Sequence, residues 1–154
     1  MDDLRGCLEK AGLSGARTLL QSGNVVFESS HSAAELKKII ETNLSKTFGY
    51  PAKAQVLPLS KLAEIVHQYP FGVADDDQHD YVIFMENGLE KDLAAEPCEL
   101  APGEQVAAGQ DVVYWRVDKG MTLKSDFAKA LAKPKYRAFN TNRNIRTLRK
   151  ILAL

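Results

Sequence analysis

The stretch LLQSGNVVFES, residues 19–29, decides how the first part of the chain folds. Two runs of apolar and β-branched residues flank a Ser-Gly-Asn tripeptide. Glycine and asparagine tolerate the positive φ angles that a tight hairpin turn requires. The stretch therefore predicts a β-hairpin with Gly23 at its turn. It leaves open whether the polar side chains beside the turn also bind a ligand.

Helix and strand patterns extend outward from this hairpin. Apolar side chains recur at helical spacing over residues 4–11, and Gly12 ends that helix. SAAE at 32–35 is a capping box for a second helix, which Gly49 ends, and AKAQVLP at 52–58 alternates like a strand. The predicted order of helix, strand, strand, helix, strand is that of a ferredoxin-like sheet without its first strand.

The missing strand has a consequence for assembly. The first strand of a ferredoxin-like sheet is central, and its absence leaves two strand edges unpaired, which natural sheets avoid. We therefore expect either that upstream residues are absent from this chain or that something else fills the slot. A homodimer built across this sheet is the expected remedy.

The second half of the chain predicts further α+β structure. YVIFME at 81–86 is typical of a strand, and EQVAAGQDVVYWR at 104–116 is typical of a hairpin. The expected fold class is thus α+β. A ferredoxin-like part over residues 1–58 is followed by a second, smaller α+β subdomain over residues 59–154.

Composition and motifs exclude several classes of protein. Hydrophobic residues make up 45% of the chain, no apolar run approaches the roughly 18 residues of a membrane span, and the acidic start is not a secretory signal. Cys7 and Cys98 are too few for a disulfide framework. No phosphate-binding loop, dinucleotide fingerprint, calcium loop or catalytic motif occurs. We expect a soluble cytoplasmic protein without metal or cofactor, and the sequence leans against an enzyme.

Charge is distributed unevenly along the chain. Residues 1–115 hold 9 basic and 18 acidic side chains, whereas residues 116–154 hold 11 and 2. The segment KPKYRAFNTNRNIRTLRKILAL, residues 133–154, has seven basic residues and no acidic one. Such asymmetry indicates either an anionic partner at one end or oppositely charged parts that attract each other.

The end of the basic segment predicts a final helix, capped by Thr141 and continuing to Ala153. Arg143 then falls in the first turn, where the helix dipole disfavours a cation by roughly 0.3–1 kcal/mol. A residue that opposes its local electrostatics is a candidate for anion binding. Helical spacing places four polar side chains on one face: Arg143, Arg146, Thr147 and Lys150.

Several of these segments together resemble an uncharacterised bacterial family, domain of unknown function 1697. They are RTLLQSGNVVFES, the capped helix that follows it, YPF at 69–71, VVYWR at 112–116 and TNRNIRTLRKI at 141–151. The resemblance implies an α+β fold with a ferredoxin-like N-terminal part, and it brings no established activity. Members of the family typically open with a strand and a glycine-rich stretch. The segment Leu4-Arg5-Gly6 echoes that stretch only by chance, because it lies within the predicted first helix.

The resemblance also strengthens the case for a polar site at the hairpin. A turn needs only Gly23 and Asn24, yet the family pattern includes the two residues before them. Together with the basic terminal helix, this yields the predicted ligand-binding residues: Gln21, Ser22, Asn24, Arg143, Asn144, Arg146, Thr147 and Lys150.

Three functions are compatible with these features. The favoured one is a binding module for an anionic ligand, either a phosphorylated small molecule or a nucleic acid. The second is a protein-interaction or structural domain whose acidic and basic ends pair. The third is an enzyme with a site between the hairpin and the pair Arg143 and Asn144. The discriminating observation is whether these segments line one pocket.

Overall fold

A computed structural model describes residues 2–19 and 23–154. The described residues contain seven helices and two antiparallel sheets, which confirms the predicted α+β class. They form two compact units. The first unit holds the described residues up to Leu59 together with Ile151–Leu154, and the second holds Ser60–Lys150, so the second unit is the larger. The predicted division into residues 1–58 and 59–154 as domains stays a proposal. No helix among the described residues has the length and apolar character that crossing a bilayer requires.

The first unit is built on the hairpin from which the fold was predicted. Its elements are α1 Asp2–Lys10, β1 Ser14–Leu19, β2 Asn24–Glu28 and α2 Ala33–Phe48. The two strands are antiparallel, and Leu19 lies opposite Asn24. Gly23 has a φ of 79°, the left-handed conformation expected at the turn. The hairpin prediction is therefore confirmed.

Helix α2 begins and ends at the residues that the sequence indicates. The Ser32 side chain accepts a hydrogen bond from the Glu35 amide at 3.2 Å, as in a capping box. Gly49 ends the helix at a φ of 72°, and its amide donates to the Ser45 carbonyl at 3.0 Å. The buried face of α2 then packs with α1 into a small apolar core of Leu8, Leu13, Leu36 and Ile40.

The predicted strand over residues 52–58 is wrong, since none of the strands in the described residues includes it. Its main chain bonds to side chains of α2 instead. The Ala54 amide donates to Glu41 Oε1 at 2.9 Å, and its carbonyl accepts from Lys37 Nζ at 2.6 Å. The physical reason is that the ferredoxin-like order pairs this segment with the central first strand, which the predicted order lacks. A homodimer across this sheet stays a prediction.

The conformation of Gly23 leads to a testable result. Gly23→Ala is expected to lower the free energy of unfolding by about 1 kcal/mol, because alanine disfavours a positive φ. No described atom lies within 4 Å of a Cβ at Gly23 or at Gly6, so steric overlap does not decide either change. Gly6→Ala, inside α1, is the control and should stabilise by about 0.5–1 kcal/mol through helix propensity. Urea unfolding of both variants tests this, and equal effects would contradict it.

The second unit contains a four-stranded antiparallel sheet in the order β4-β5-β3-β6. The elements that lie in it wholly or for most of their length are α3 Leu59–His67, β3 Gln78–Met85, α4 Glu90–Ala94, β4 Gln105–Ala108, β5 Val112–Asp118, α5 Asp126–Leu131, α6 Pro134–Arg137, β6 Asn140–Asn144 and α7 Ile145–Leu152. Leu59 and the last two residues of α7 belong to the first unit. Strands β3 and β5 pair over seven residues and form the centre of the sheet. Alternate side chains along both strands point to opposite faces, so the sheet has two buried sides.

The first side of this sheet carries the main core of the second unit. Trp115 is 1% exposed there, and its ring lies 5.2 Å from that of Phe127 and 5.4 Å from that of Tyr81. The second side carries Tyr114, whose hydroxyl donates to the Ile65 carbonyl of α3 at 2.7 Å. Helix α3 is thus tied to the side of the sheet that also holds the polar cluster described below.

The predicted start of the final helix is wrong by three residues. Residues Asn140–Asn144 form strand β6, and α7 begins only at Ile145. Pairing with β3 satisfies this backbone, and Arg143 lies opposite Val82. Asn144, rather than Thr141, caps the helix, since its Oδ1 accepts from the Arg146 amide at 2.9 Å. Arg143 is therefore outside the helix, and the helical face predicted to include it does not exist.

Candidate functional site

A cavity of about 540 Å³ lies in the second unit. The last turn of α3, the loop that follows it, the first residues of β3 and the start of α7 form its walls. The lining residues are Val66, His67, Tyr69, Gly72, Val73, Ala74, Gln78, Asp80, Asn144, Ile145, Arg146 and Arg149. This volume is within the range of about 300–1,000 Å³ that small-molecule sites occupy.

Asp80, which lines this cavity, belongs to a buried ion pair. Asp80 on β3 and Arg116 on β5 lie directly opposite each other in the sheet, at 9% and 6% exposure. Arg116 Nε donates to Asp80 Oδ1 at 2.7 Å, and its Nη2 donates to Asp80 Oδ2 at 3.1 Å. This two-bond geometry is the favourable one for an arginine and a carboxylate. The hydrogen bonding to Asp80 raises the pKa of Arg116, although burial opposes it.

The same arginine holds one wall of the cavity in place. Its Nη1 donates to the Phe71 carbonyl at 2.7 Å, and its Nη2 donates to the Gly72 carbonyl at 2.9 Å. The Phe71 ring also lies 5.8 Å from the guanidinium carbon, within cation–π range. Two hydrogen bonds from this side chain thus attach the loop after α3 to the sheet, while its other two hold Asp80.

Tyr69 places a phenol in this wall. Its ring packs edge-on against Phe71 at 5.4 Å and against Tyr114 at 5.5 Å. The hydroxyl oxygen is buried, and it lies beside the Asp80 carboxyl group and the Arg116 guanidinium. Burial raises the pKa of Tyr69 most, and the neighbouring Asp80 raises it further. The phenol therefore remains protonated at neutral pH.

Positive charge enters the cavity from α7. Arg146 and Arg149 are exposed and lie three residues apart, so they share one face of the helix. Asn144 caps this helix by accepting a hydrogen bond from the Arg146 amide, so Arg146 lies in the first turn of α7. His67 completes the polar rim from the end of α3. The cavity lining thus contains two arginines on α7 and the acidic residue Asp80 on β3.

The structure distributes the predicted site residues unevenly. Asn144 and Arg146 line the cavity, whereas Thr147 and Lys150 are outside its described lining. Arg143 is half-buried on β6, where burial lowers its pKa and its Nη1 donates to the Asn142 carbonyl at 2.9 Å. Asn24 belongs to the first unit. The predicted residues Gln21 and Ser22 lie outside the described part of the chain.

Asn24 already has a structural role at the hairpin. Its side chain is 8% exposed, and its Nδ2 donates to the Leu19 carbonyl across the turn at 3.2 Å. Asparagine at this position therefore supports the turn itself. Its predicted part in ligand binding is not tested by this contact and stays a prediction.

Sequence reasoning missed most of the cavity. Tyr69 and Arg116 stood in the segments YPF and VVYWR, which carried the family resemblance but had no assigned role. Asp80 comes just before the predicted strand at 81–86 and also had no assigned role. Asp80 and Arg116 are 36 residues apart in the chain, and strand pairing alone brings them together.

The described residues do not indicate a metal site. Across residues 2–19 and 23–154, no three His, Cys, Asp or Glu side chains come together as ligands of one ion would. The polar side chains that line the cavity are instead two arginines, a histidine, a tyrosine, an aspartate and two amides. This set suits hydrogen bonding to a polar anionic molecule.

Comparison with known proteins supports the predicted resemblance. The model of the family described as "Protein of unknown function (DUF1697)" matches residues 1–114. The solved structure of a conserved bacterial protein from Streptococcus pneumoniae matches with a TM-score of 0.80 and 26% sequence identity. That match covers 99% of this chain and 87% of the other. No curated protein sequence matches the chain.

Proposed function

The chain belongs to the family of unknown function DUF1697, and on that premise we propose that its second unit binds a small phosphorylated molecule. One observation carries the proposal: a cavity of ligand size has two arginines of one helix in its wall. Arginine presents a planar set of N–H donors that matches the oxygens of a phosphate group. The proposed phosphate-binding residues are therefore Arg146 and Arg149.

The cavity and the distribution of charge along the chain favour a small ligand over a nucleic acid. The candidate arginines lie in a cavity rather than along an extended surface. Residues 1–115 carry twice as many acidic as basic side chains, and these repel a long polyanion. The loop wall, held by Arg116, limits the site to molecules that fit within about 540 Å³.

Removing the two arginines should abolish most of the affinity. We expect Arg146→Ala/Arg149→Ala to weaken binding by about 100-fold or more, because each charge-assisted hydrogen bond contributes about 1.5–3 kcal/mol. Isothermal titration with a panel of phosphate monoesters at low salt measures this. Lys129→Ala/Arg137→Ala is the matched control, since it removes the same charge from exposed positions outside both the described lining and the predicted site residues.

Other results of the titration assign other functions. An equal loss in both double variants would mean that general electrostatics, rather than this cavity, attracts the ligand. Binding of oligonucleotides with a steep dependence on salt would indicate a nucleic-acid surface. No binding of any anion at low salt would reject the proposal and favour the protein-interaction hypothesis.

A further inference from the structure

The cavity residues other than the two arginines indicate what the organic part of the ligand is. We propose that it is an aromatic ring system, as in an aryl phosphate or a nucleotide, and that Val73 and His67 contact this ring. The proposal rests on the proposed function for the position of the phosphate. It goes further in naming the chemical class of the ligand and the residues that select it.

The polar side chains that β3 contributes to the lining already have partners within the protein. Asp80 accepts two hydrogen bonds from Arg116. Gln78 Nε2 donates to the Gly103 carbonyl at 3.2 Å, and Gln78 Oε1 accepts from the Asp75 amide at 3.3 Å. These groups therefore do not need hydrogen bonds from a ligand, and they give no preference for a ligand rich in hydroxyl groups.

Val73 presents an apolar side chain in this cavity and is 97% exposed. The backbone is attached on both sides of it. The Gly72 carbonyl accepts from Arg116 Nη2 at 2.9 Å, and the Asp75 carbonyl accepts from the Gln78 amide at 3.0 Å. A ligand that covers Val73 removes its apolar surface from water, which is favourable. The loop therefore keeps an apolar contact accessible to a ligand.

The position of Val73 distinguishes it from other exposed apolar residues. Single exposed apolar side chains are common on protein surfaces, and Leu123, at 89% exposure, is one of them. Leu123 is outside the described lining, whereas Val73 shares the cavity with Arg146 and Arg149. One cavity thus combines two cationic side chains with an exposed apolar one. A ligand that has both a phosphate and an apolar part matches this combination.

His67 provides a planar ring in the same lining. It is the last residue of α3, and it is exposed. An imidazole ring can stack on the face of an aromatic ring, as histidine does on the bases of nucleic acids. A polyol in contact with Val73 would instead lose water from its hydroxyl groups without gaining hydrogen bonds from the valine, which is unfavourable. The two side chains therefore favour a flat aromatic ring.

Two pairs of esters test the proposal by isothermal titration: phenyl phosphate against methyl phosphate, and adenosine 5′-monophosphate against ribose 5-phosphate. Within each pair only one ester carries an aromatic ring, so the ratio of the two affinities measures what the ring contributes. The wild-type protein should bind the ring-bearing ester about tenfold or more tightly in at least one pair. Val73→Ser and His67→Ser should each reduce this ratio by about threefold or more, whereas His67→Phe, which keeps a ring, should retain it. The pair with the larger ratio shows whether a simple aryl phosphate or a nucleotide is the source.

Leu123→Ser is the matched control, since it removes an exposed apolar side chain outside the described lining and should leave the ratio unchanged. Val73→Ser should not shift the unfolding midpoint, because the side chain is exposed. If both esters of each pair bind equally through Arg146 and Arg149, the inference is overturned and the proposed function survives. If the ratio is large but either serine variant leaves it unchanged, the ring is not bound as proposed and the inference also fails. If no ester binds, both are overturned.

Discussion

Arg116→Ala is expected to lower the free energy of unfolding of the second unit by about 3–5 kcal/mol. The substitution leaves the carboxyl group of Asp80 buried at 9% exposure without its cationic partner. It also removes the donors to the Phe71 and Gly72 carbonyls, so the loop after α3 loses its attachment to the sheet. Both effects act in the same direction, which makes this one of the largest expected losses in the protein.

Trp115 is the only tryptophan in the chain, and it lies beside Arg116 on β5, so its fluorescence during urea unfolding reports on this unit. Asp80→Leu/Arg116→Met should be far less damaging than Arg116→Ala, since replacing a buried ion pair by apolar side chains is often neutral or stabilising. Arg137→Ala, at an exposed position, is the control and should change stability by at most about 0.5 kcal/mol. A loss below about 1 kcal/mol for Arg116→Ala would show that the pair is not buried as described.

Trp115→Ala is the second substitution with a large expected effect, a loss of about 3–5 kcal/mol. The indole fills the centre of the main core at 1% exposure, between Tyr81 and Phe127. Its Nε1 also donates to Glu104 Oε1 at 2.9 Å, and Glu104 is itself 6% exposed. The variant therefore has both a cavity and a buried carboxyl group that has lost a donor.

Circular dichroism during urea unfolding measures this loss, since the variant has no tryptophan fluorescence. Trp115→Phe separates the two causes, because it keeps most of the ring volume and removes only the donor to Glu104. We expect it to retain a substantial part of the lost stability. Leu123→Ala, at 89% exposure, is the control for loss of an apolar side chain outside the core. A small effect of Trp115→Ala, comparable with that control, would contradict the described packing.

The Arg116 prediction also bears on the proposed ligand site. Arg116 holds Asp80 and the loop after α3, and both contribute residues to the cavity. A variant that folds but lacks Arg116 should therefore bind phosphate esters more weakly. The stability of the sheet and the shape of the cavity thus depend on one side chain.

Local patterns were sufficient to predict the elements whose bonds lie close together in the chain. The hairpin at Gly23 depends on a backbone conformation that glycine adopts at no steric cost. Helix α2 depends on the capping residue Ser32 just before its start and on Gly49 just after its end. In both cases the residues that decide the structure are neighbours in sequence.

Prediction was wrong where a distant partner decides the backbone conformation. The predicted cap at Thr141 places residues 142–144 in a helix, yet β3 offers them a strand partner that is about 60 residues away, and this pairing decides their conformation. Residues 52–58 show the opposite error, because here a predicted strand does not form. They alternate like a strand, but their main chain bonds to α2 side chains such as Glu41.

The candidate site shows the same division. The α+β class, the hairpin, the capped helix and the basic terminal segment could all be predicted from the sequence, because spacing, turn residues and charge are visible over a few neighbouring positions. Which basic residues line a cavity, and that Tyr69 and Arg116 lie beside Asp80, could be known only from the folded chain. The reason is physical: these contacts arise from pairing between β3 and β5, and the partners of a strand lie far away along the chain, where no local pattern records them.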